Sequence, residues 1–342
     1  MAHSGRSHRR RAVVLIAASG LVLAASATQH RRAAAARTRS RAEADRATDP
    51  RRAAAIRDRL ELGSQLRAAV DLGQLRVVYQ PIVSLATGTM AGVEALLRWD
   101  HPDRGVVGPN DFIGIAEENG TIESIGRWVL AEACRQATAW SPDVSAEPLF
   151  LCVNVSAREM QRGDFAAAVA STLEDSRLDP ERLRLEITET ALLRATPQTF
   201  STLAALRRLG VQVAIDDFGI GAFPLAELRD VPIDTLKIAP ELVRGPAGAT
   251  DHQTSPRAGA IVAISDRLEL TTVAEGIEDA DQAARMRDLG CTYGQGYYFA
   301  RPMAPEAIAP AAPATVTSIR RRRRSRSGGE RGGPRAREAF VA

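Results

Sequence analysis

The chain has 342 residues, 45% of them hydrophobic and 25% charged, which is enough for one large globular domain or two small ones. Its net charge of +4 is unevenly spread: 14 Arg against 4 acids in residues 1–59 and 9 Arg against 2 acids in 317–342 give the two ends +10 and +7, leaving −13 for residues 60–316. An acidic body argues against the whole protein being a specific nucleic-acid binder, and Cys134, Cys152 and Cys291, far apart and set among apolar neighbours, argue against a disulfide framework or a cysteine metal site.

In chain order, Arg9, Arg10 and Arg11 precede the apolar run AVVLIAASGLVLAASA at 12–27, which reads as a leader or as a short membrane anchor. Residues 1–28 are therefore set apart as a basic leader. Residues 29–60 are Arg/Ala-rich and predict a linker helix, and 311–342 form a basic tail expected to be disordered. Such a tail can touch anionic lipid or nucleic acid, although a solvated tail is the simpler reading.

Residues 61–310 are expected to be the folded domain. Apolar, β-branched runs predict eight strands, at 75–85, 92–99, 148–156, 182–188, 211–218, 234–239, 270–276 and 292–299. Helical patterns lie between most of them, as in PQTFSTLAALRRLG at 197–210, with Pro near its start and Gly at its end, and DADQAARMRDLG at 279–290. Strand and helix in alternation imply a mainly parallel sheet, and eight such strands fit a (β/α)8 TIM-type barrel, with a doubly wound open sheet as the alternative.

A barrel gathers its chemistry at the C-terminal ends of its strands. Asn154, Glu186, the pair Asp216 and Asp217, Lys237 and Glu275 all fall late in strand runs, and Glu94 stands inside the buried-looking GVEALLRW. One acid after a strand is more often a cap or an ion-pair partner, but several in register on separate strands point to a site. Carboxylates brought to one mouth repel each other, and a single lysine cannot balance them. Carboxylate and amide oxygens suit Mg²⁺ or Mn²⁺, the adjacent aspartates suggest two ions, and two such ions suit a phosphate ester as substrate.

In order and spacing, EALLRW (94–99), NVS (154–156), LEITET (185–190), DDFGIG (216–221), LKI (236–238), AEGIE (274–278) and QGYYFARP (295–302) resemble the EAL-domain phosphodiesterases, as do YQPIV (79–83) and residues 101–122. The resemblance covers about 61–305. It implies an EAL barrel that hydrolyses cyclic di-GMP to linear pGpG with Mg²⁺ or Mn²⁺, inhibited by calcium. By the same resemblance Glu94, Asn154, Glu186 and Asp216 are metal ligands, with Asp217 on a second ion. Lys237 holds or polarises a water, and Glu275 is a general base or a ligand-orienting acid. Gln80, Arg98 and Gln295 contact substrate, and Glu189 anchors the loop after DDFG.

Two departures stand out. The loop runs Ile220, Gly221, Ala222, Phe223, Pro224 instead of the family's Gly-Tyr-Ser pattern, and Ala239 stands where the family has an acid. A catalytically weak receptor of the dinucleotide is thus the alternative function, and a membrane-tethered scaffold a third. The resemblance further implies a homodimer through the face near this loop. A cytoplasmic messenger places the domain on the cytoplasmic side, with membrane contact, if any, through the N-terminal segment.

Overall fold

Short β-branched segments bounded by Gly, Pro and Asp recur through the acidic body, and each becomes one stave of a barrel. The computed structural model describes residues 50–140, 148–245 and 256–308. The leader at 1–28, most of the 29–60 linker and the 311–342 tail lie outside them. The chain divides into two units between Leu62 and Gly63. Of the first unit the described part is residues 50–62, all within helix α1 (Pro50–Ala69).

The second unit carries the strands β1 (Leu75–Ser84), β2 (Met90–His101), β3 (Gly105–Val107), β4 (Phe150–Asn154), β5 (Leu183–Thr188), β6 (Gln212–Phe218), β7 (Thr235–Ile238), β8 (Thr271–Ala274) and β9 (Tyr293–Gly294). Helices α2 (Pro109–Asn119) and α3 (Ile122–Ala139) follow β3, α4 (Ala157–Met160) and α5 (Phe165–Ser176) follow β4, and α6 (Glu189–Leu193) and α7 (Pro197–Arg208) follow β5. Helices α8 (Pro240–Arg244) and α9 (Pro256–Arg267) come after β7, and α10 (Ala280–Asp288) after β8. The order β1-β9-β8-β7-β6-β5-β4-β2 is closed by a β1–β2 pairing, so eight strands form a ring and β3 is a flap on β2. The barrel reading holds and the open sheet does not.

Two details depart from a regular alternation. Strand β1 runs antiparallel to both β2 and β9, whereas β2, β4 and their successors to β9 are parallel. Only residues 85–89 join β1 to β2, and a parallel crossover needs a dozen or more. The expected strand at 292–299 shrinks to Tyr293–Gly294. There the Gln295 N–H donates to Ala274 O (2.8 Å) and the Ile277 N–H to Gln295 O (3.0 Å), while Gly296 lies so close to the Ile277 backbone that any Cβ would collide with it. The chain turns across the barrel end instead of continuing along it.

The helices form where their signals stand. Thr196 caps α7 with its side chain accepting from the Thr199 N–H, Pro197 occupies the first turn, and Leu203 and Leu206 face the barrel. Asp279 caps α10 in the same way through the Gln282 N–H. Inside the barrel Ile82, Cys152 and Val273 pack together, with Phe150 and Tyr293 against them. Among the described residues no helix is long and apolar enough to cross a membrane. The 12–27 segment lies outside that statement.

Candidate active site

Burying a carboxylate without partners costs several kcal/mol, so the placement of Glu94 calls for compensation. It is only 4% exposed. Asn154 Nδ2 donates to its Oε1 at 2.8 Å and Gln295 Nε2 to its Oε2 at 2.6 Å. Gln295 Nε2 also lies 3.3 Å from Gln80 Oε1, and Gln80 Nε2 donates to Ala300 O at 3.2 Å. Strand pairing produces this arrangement: Gln80 stands opposite Glu94 on the β1–β2 ladder, and Asn154 beside Glu186 on β4–β5.

At the centre is Lys237, 1% exposed. Its Nζ lies 2.7 Å from Glu186 Oε2, 2.8 Å from Glu275 Oε1, 3.0 Å from Asp216 Oδ1 and 3.5 Å from Glu94 Oε2. Desolvation pulls the lysine pKa down, but Asp216, Glu186, Glu275 and Glu94 together outweigh it and hold the ammonium well above its usual range. One cation thus serves four carboxylates. Burial, reinforced by Glu94 and Asp216 and opposed by Lys237, pushes Glu186 up to about 8. Burial and Asp216 likewise lift Glu275 well above the carboxylate range, and burial with Asp216 brings Asp217 to about 6.

Adjacent residues on a regular strand point to opposite faces, so Asp216 and Asp217 should not share a site. The β6–β7 register shifts between Ile215 and Phe218, and Asp217 takes a left-handed conformation with φ 52°. Both aspartates consequently line one cleft of about 510 Å³, together with Gln80, Glu94, Arg98, Glu275 and Gln295. Asn154 joins the cleft residue Glu94 by its hydrogen bond, and Lys237 links Glu186 to the cleft residues Glu94, Asp216 and Glu275. Arg98 Nη1 donates to Leu97 O at 2.7 Å, on the cleft wall.

Glu189 sits at 3% exposure outside the cleft. Its carboxylate accepts from the N–H groups of Gly219 (2.8 Å), Gly221 (3.1 Å) and Phe223 (2.8 Å) and ties down the loop after Asp217. Glu278 lies away from the site, 3.6 Å from Arg244. Ala239 is fully buried at the start of α8 and offers no side-chain cap.

The cleft also contains groups for which the sequence offers weak signals. Asp111 stands in the first turn of α2, where Pro109 marks a helix start. Glu241 stands in the single turn of α8, and Tyr297 lies under the Arg301 guanidinium, 4.0 Å from the ring centre. Nothing in the residue pattern around Glu241 points to a cleft.

The donors are oxygens, the type of ligand that a hard divalent cation takes. Glu186 Oε1 and Asp216 Oδ1 are buried without a hydrogen bond, the latter ion-paired only, and the cluster carries more negative charge than Lys237 neutralises. Burial lifts the Cys152 thiol well above its usual value, with Glu186 adding to it. Among the described residues, however, no group of three or more His, Cys, Asp or Glu side chains has metal-holding geometry. The carboxylates converge on the ammonium instead.

Residues 64–302 match the EAL domain family model. The chain belongs to the EAL domain family. Over 250 residues it is 40% identical to the cyclic di-GMP phosphodiesterase NbdA of Pseudomonas aeruginosa, a match covering 73% of this chain and 31% of that protein. It is 38% identical over 253 residues to the oxygen sensor protein DosP of Escherichia coli, covering 74% and 31%. The EAL chain thus spans about a third of the length of such curated relatives. Among solved structures, the PaMucR phosphodiesterase in complex with c-di-GMP aligns with a TM-score of 0.67 and 38% identity, over 72% of this chain and 98% of that one.

Proposed function

We propose that this EAL domain hydrolyses cyclic di-GMP to linear pGpG in a divalent-metal-dependent reaction. The observation that carries the reading is the convergence of Glu94, Glu186, Asp216 and Glu275 within 3.5 Å of one buried point, Lys237 Nζ. The likeness to NbdA and to the c-di-GMP complex of PaMucR supports the substrate.

Glu94, Asn154, Glu186 and Asp216 would hold one Mg²⁺ or Mn²⁺, and Asp217 a second. When bound, the ions supply charge neutralisation and polarisation at the phosphate. Arg98 pairs with a phosphate oxygen, and Gln80 and Gln295 position the sugar-phosphate ring while keeping Glu94 oriented. Lys237 donates to the attacking water and fixes its approach, and Glu275, 2.8 Å from Nζ, takes the proton. Water adds to phosphorus as one P–O3′ bond breaks and the departing O3′ takes a proton from solvent, leaving a 5′-phosphate and a 3′-hydroxyl. The loop at 219–223, held by Glu189, places Asp217, and its outer face is the proposed contact in a homodimer.

The test is incubation of purified protein with the dinucleotide and Mn²⁺, Mg²⁺ or Ca²⁺, followed by chromatography of the linear product. Product with Mn²⁺ or Mg²⁺ and none with Ca²⁺ or chelator is expected. Tight binding without turnover over hours would overturn the hydrolase reading and favour the receptor reading, for which Ala239, buried where the family has an acid, is the specific support. In either case the domain works on the cytoplasmic side, where the messenger is. Residues 61–310 would be the working unit, with the leader, linker and basic tail as flanking segments and any membrane contact at the N-terminal one.

A further inference from the structure

One wall of the cleft is built from a short excursion of the chain. Val106, Gly108, Pro109, Asn110 and Asp111 line it, on the β3 flap and the first turn of α2. A three-residue strand on the edge of a sheet has little stability of its own. What holds it is therefore informative.

The flap turns between His101 and Gly105, which face each other on the β2–β3 ladder. His101 is 3% exposed, and its ring packs against Trp99 with centres 4.9 Å apart. The N–H groups of Asp103 (3.1 Å) and Arg104 (3.3 Å) both point at Nδ1, which must offer them a lone pair. The ring proton is then on Nε2, 2.8 Å from Gln65 Oε1 on α1. The imidazole joins the turn of the flap to the end of α1 through one defined tautomer.

The other end of the same wall is gripped by the same helix. Helix α2 begins at the cleft with Pro109 and ends at Asn119, whose Nδ2 donates to Gly63 O at 3.4 Å. Asn119 Oδ1 accepts from the Thr121 N–H at 2.9 Å and so fixes that amide. Gly63 allows the close approach, since a Cβ there would lie 2.9 Å from Ile115 Cγ2. Residues 63–65 therefore hold both ends of the segment that makes the wall.

We propose that His101 is a positioning residue for substrate and that Gln65 and Gly63 are its handle on α1, so that a displacement of residues 63–65 is read out as a change in affinity for the cyclic dinucleotide. The inference rests on the substrate reading above. It concerns a residue that touches no reacting atom.

The experiment compares Gln65→Met, which removes the acceptor at similar volume, Gln65→Glu, which keeps it, and His101→Asn, which keeps an acceptor for the turn amides but cannot reach Gln65. Gln65→Met and His101→Asn are expected to raise KM and the calorimetric Kd for cyclic di-GMP three- to ten-fold with kcat within two-fold. Gln65→Glu should stay within two-fold of the parent in both. Amide hydrogen exchange in the unliganded full-length chain should quicken at Asp103, Arg104 and Val106 in Gln65→Met and not in Gln65→Glu. Equal KM, Kd and exchange in parent and Gln65→Met would overturn the proposal, as would equal losses of kcat and affinity tracking a global fall in thermal stability. A parent protein that neither binds nor hydrolyses the dinucleotide defeats the substrate reading instead. The exchange comparison then decides the coupling alone, with identical rates in the two Gln65 variants counting against it.

Discussion

Two neutral amides and one shared ammonium keep Glu94 in a place where hydrocarbon would be cheaper, and this sets what substitution should do. Glu94→Gln keeps the shape and removes the charge. Product formation is expected to fall by about 100-fold or more, as measured by chromatography of pGpG, with the far-ultraviolet circular dichroism spectrum unchanged. Lys237→Met strips the common counter-ion from four carboxylates and should cost roughly 3–5 kcal/mol of stability in urea unfolding of the metal-free protein. A smaller loss than about 1 kcal/mol would mean that the carboxylates are not jointly balanced by Nζ.

The cysteines give a pH prediction at the same scale. Burial pushes Cys134 up to about 12 and Cys291 up to about 11, from an ordinary 9.0. Above pH 9 the unfolded chain loses thiol protons that the folded chain keeps, so the unfolded state binds fewer protons and stability must fall with rising pH. Between pH 9 and 11 the slope should be about 1.4 kcal/mol per unit for each thiol. Cys134→Ala should reduce the summed slope by the share of that one thiol. In the native protein at pH 8 both thiols should resist alkylation, and both should react once guanidinium unfolds the chain.

Among the elements, β6 and the loop after it do the most to shape the site. The DDF sequence is legible as a strand end, but alternation alone would face only one aspartate inward. The left-handed Asp217 and the shifted register put both in the cleft. Glu189, on the short helix after β5, holds the following loop by three backbone N–H groups. Glu189→Ala is expected to cost at least about 1.5–3 kcal/mol and to speed hydrogen exchange at Gly219, Gly221 and Phe223 while leaving the amides of β5 slow. Uniform exchange across the loop and β5 would show that the loop is held by packing instead. The eight strand runs were readable from period and composition, since each is bounded by turn residues. Strand β3 was not, because three residues give no period, and the stretch after Tyr293 was misread because its apolar residues pack across the barrel end rather than along a strand.

At the scale of the whole molecule, ring closure gathers the separate strand-end acids around one lysine in a single buried site, which ion binding would stabilise. Saturating Mn²⁺ at about 100 times its Kd should stabilise the fold by roughly 2.7 kcal/mol, a rise of about 5–10 °C in Tm for a barrel of this size, reversed by chelator. No shift in scanning calorimetry would contradict the proposed ion site. The barrel class itself is legible in the sequence, because alternating strands and amphipathic helices admit few packings. The antiparallel β1 was accessible in principle as well, through its five-residue link to β2.

The sequence by itself determined the residue types at the strand ends, the alternation that makes a barrel and the acidic balance of the body, because period, caps and charge are local properties of the chain. It could not determine that Lys237 is the point on which the acids meet, that Asn154 and Gln295 flank Glu94, or that α1 grips both ends of a cleft wall. Those relations join residues up to 201 positions apart in the chain, between Glu94 and Gln295, and arise only when separate strands and helices pack together in the tertiary fold.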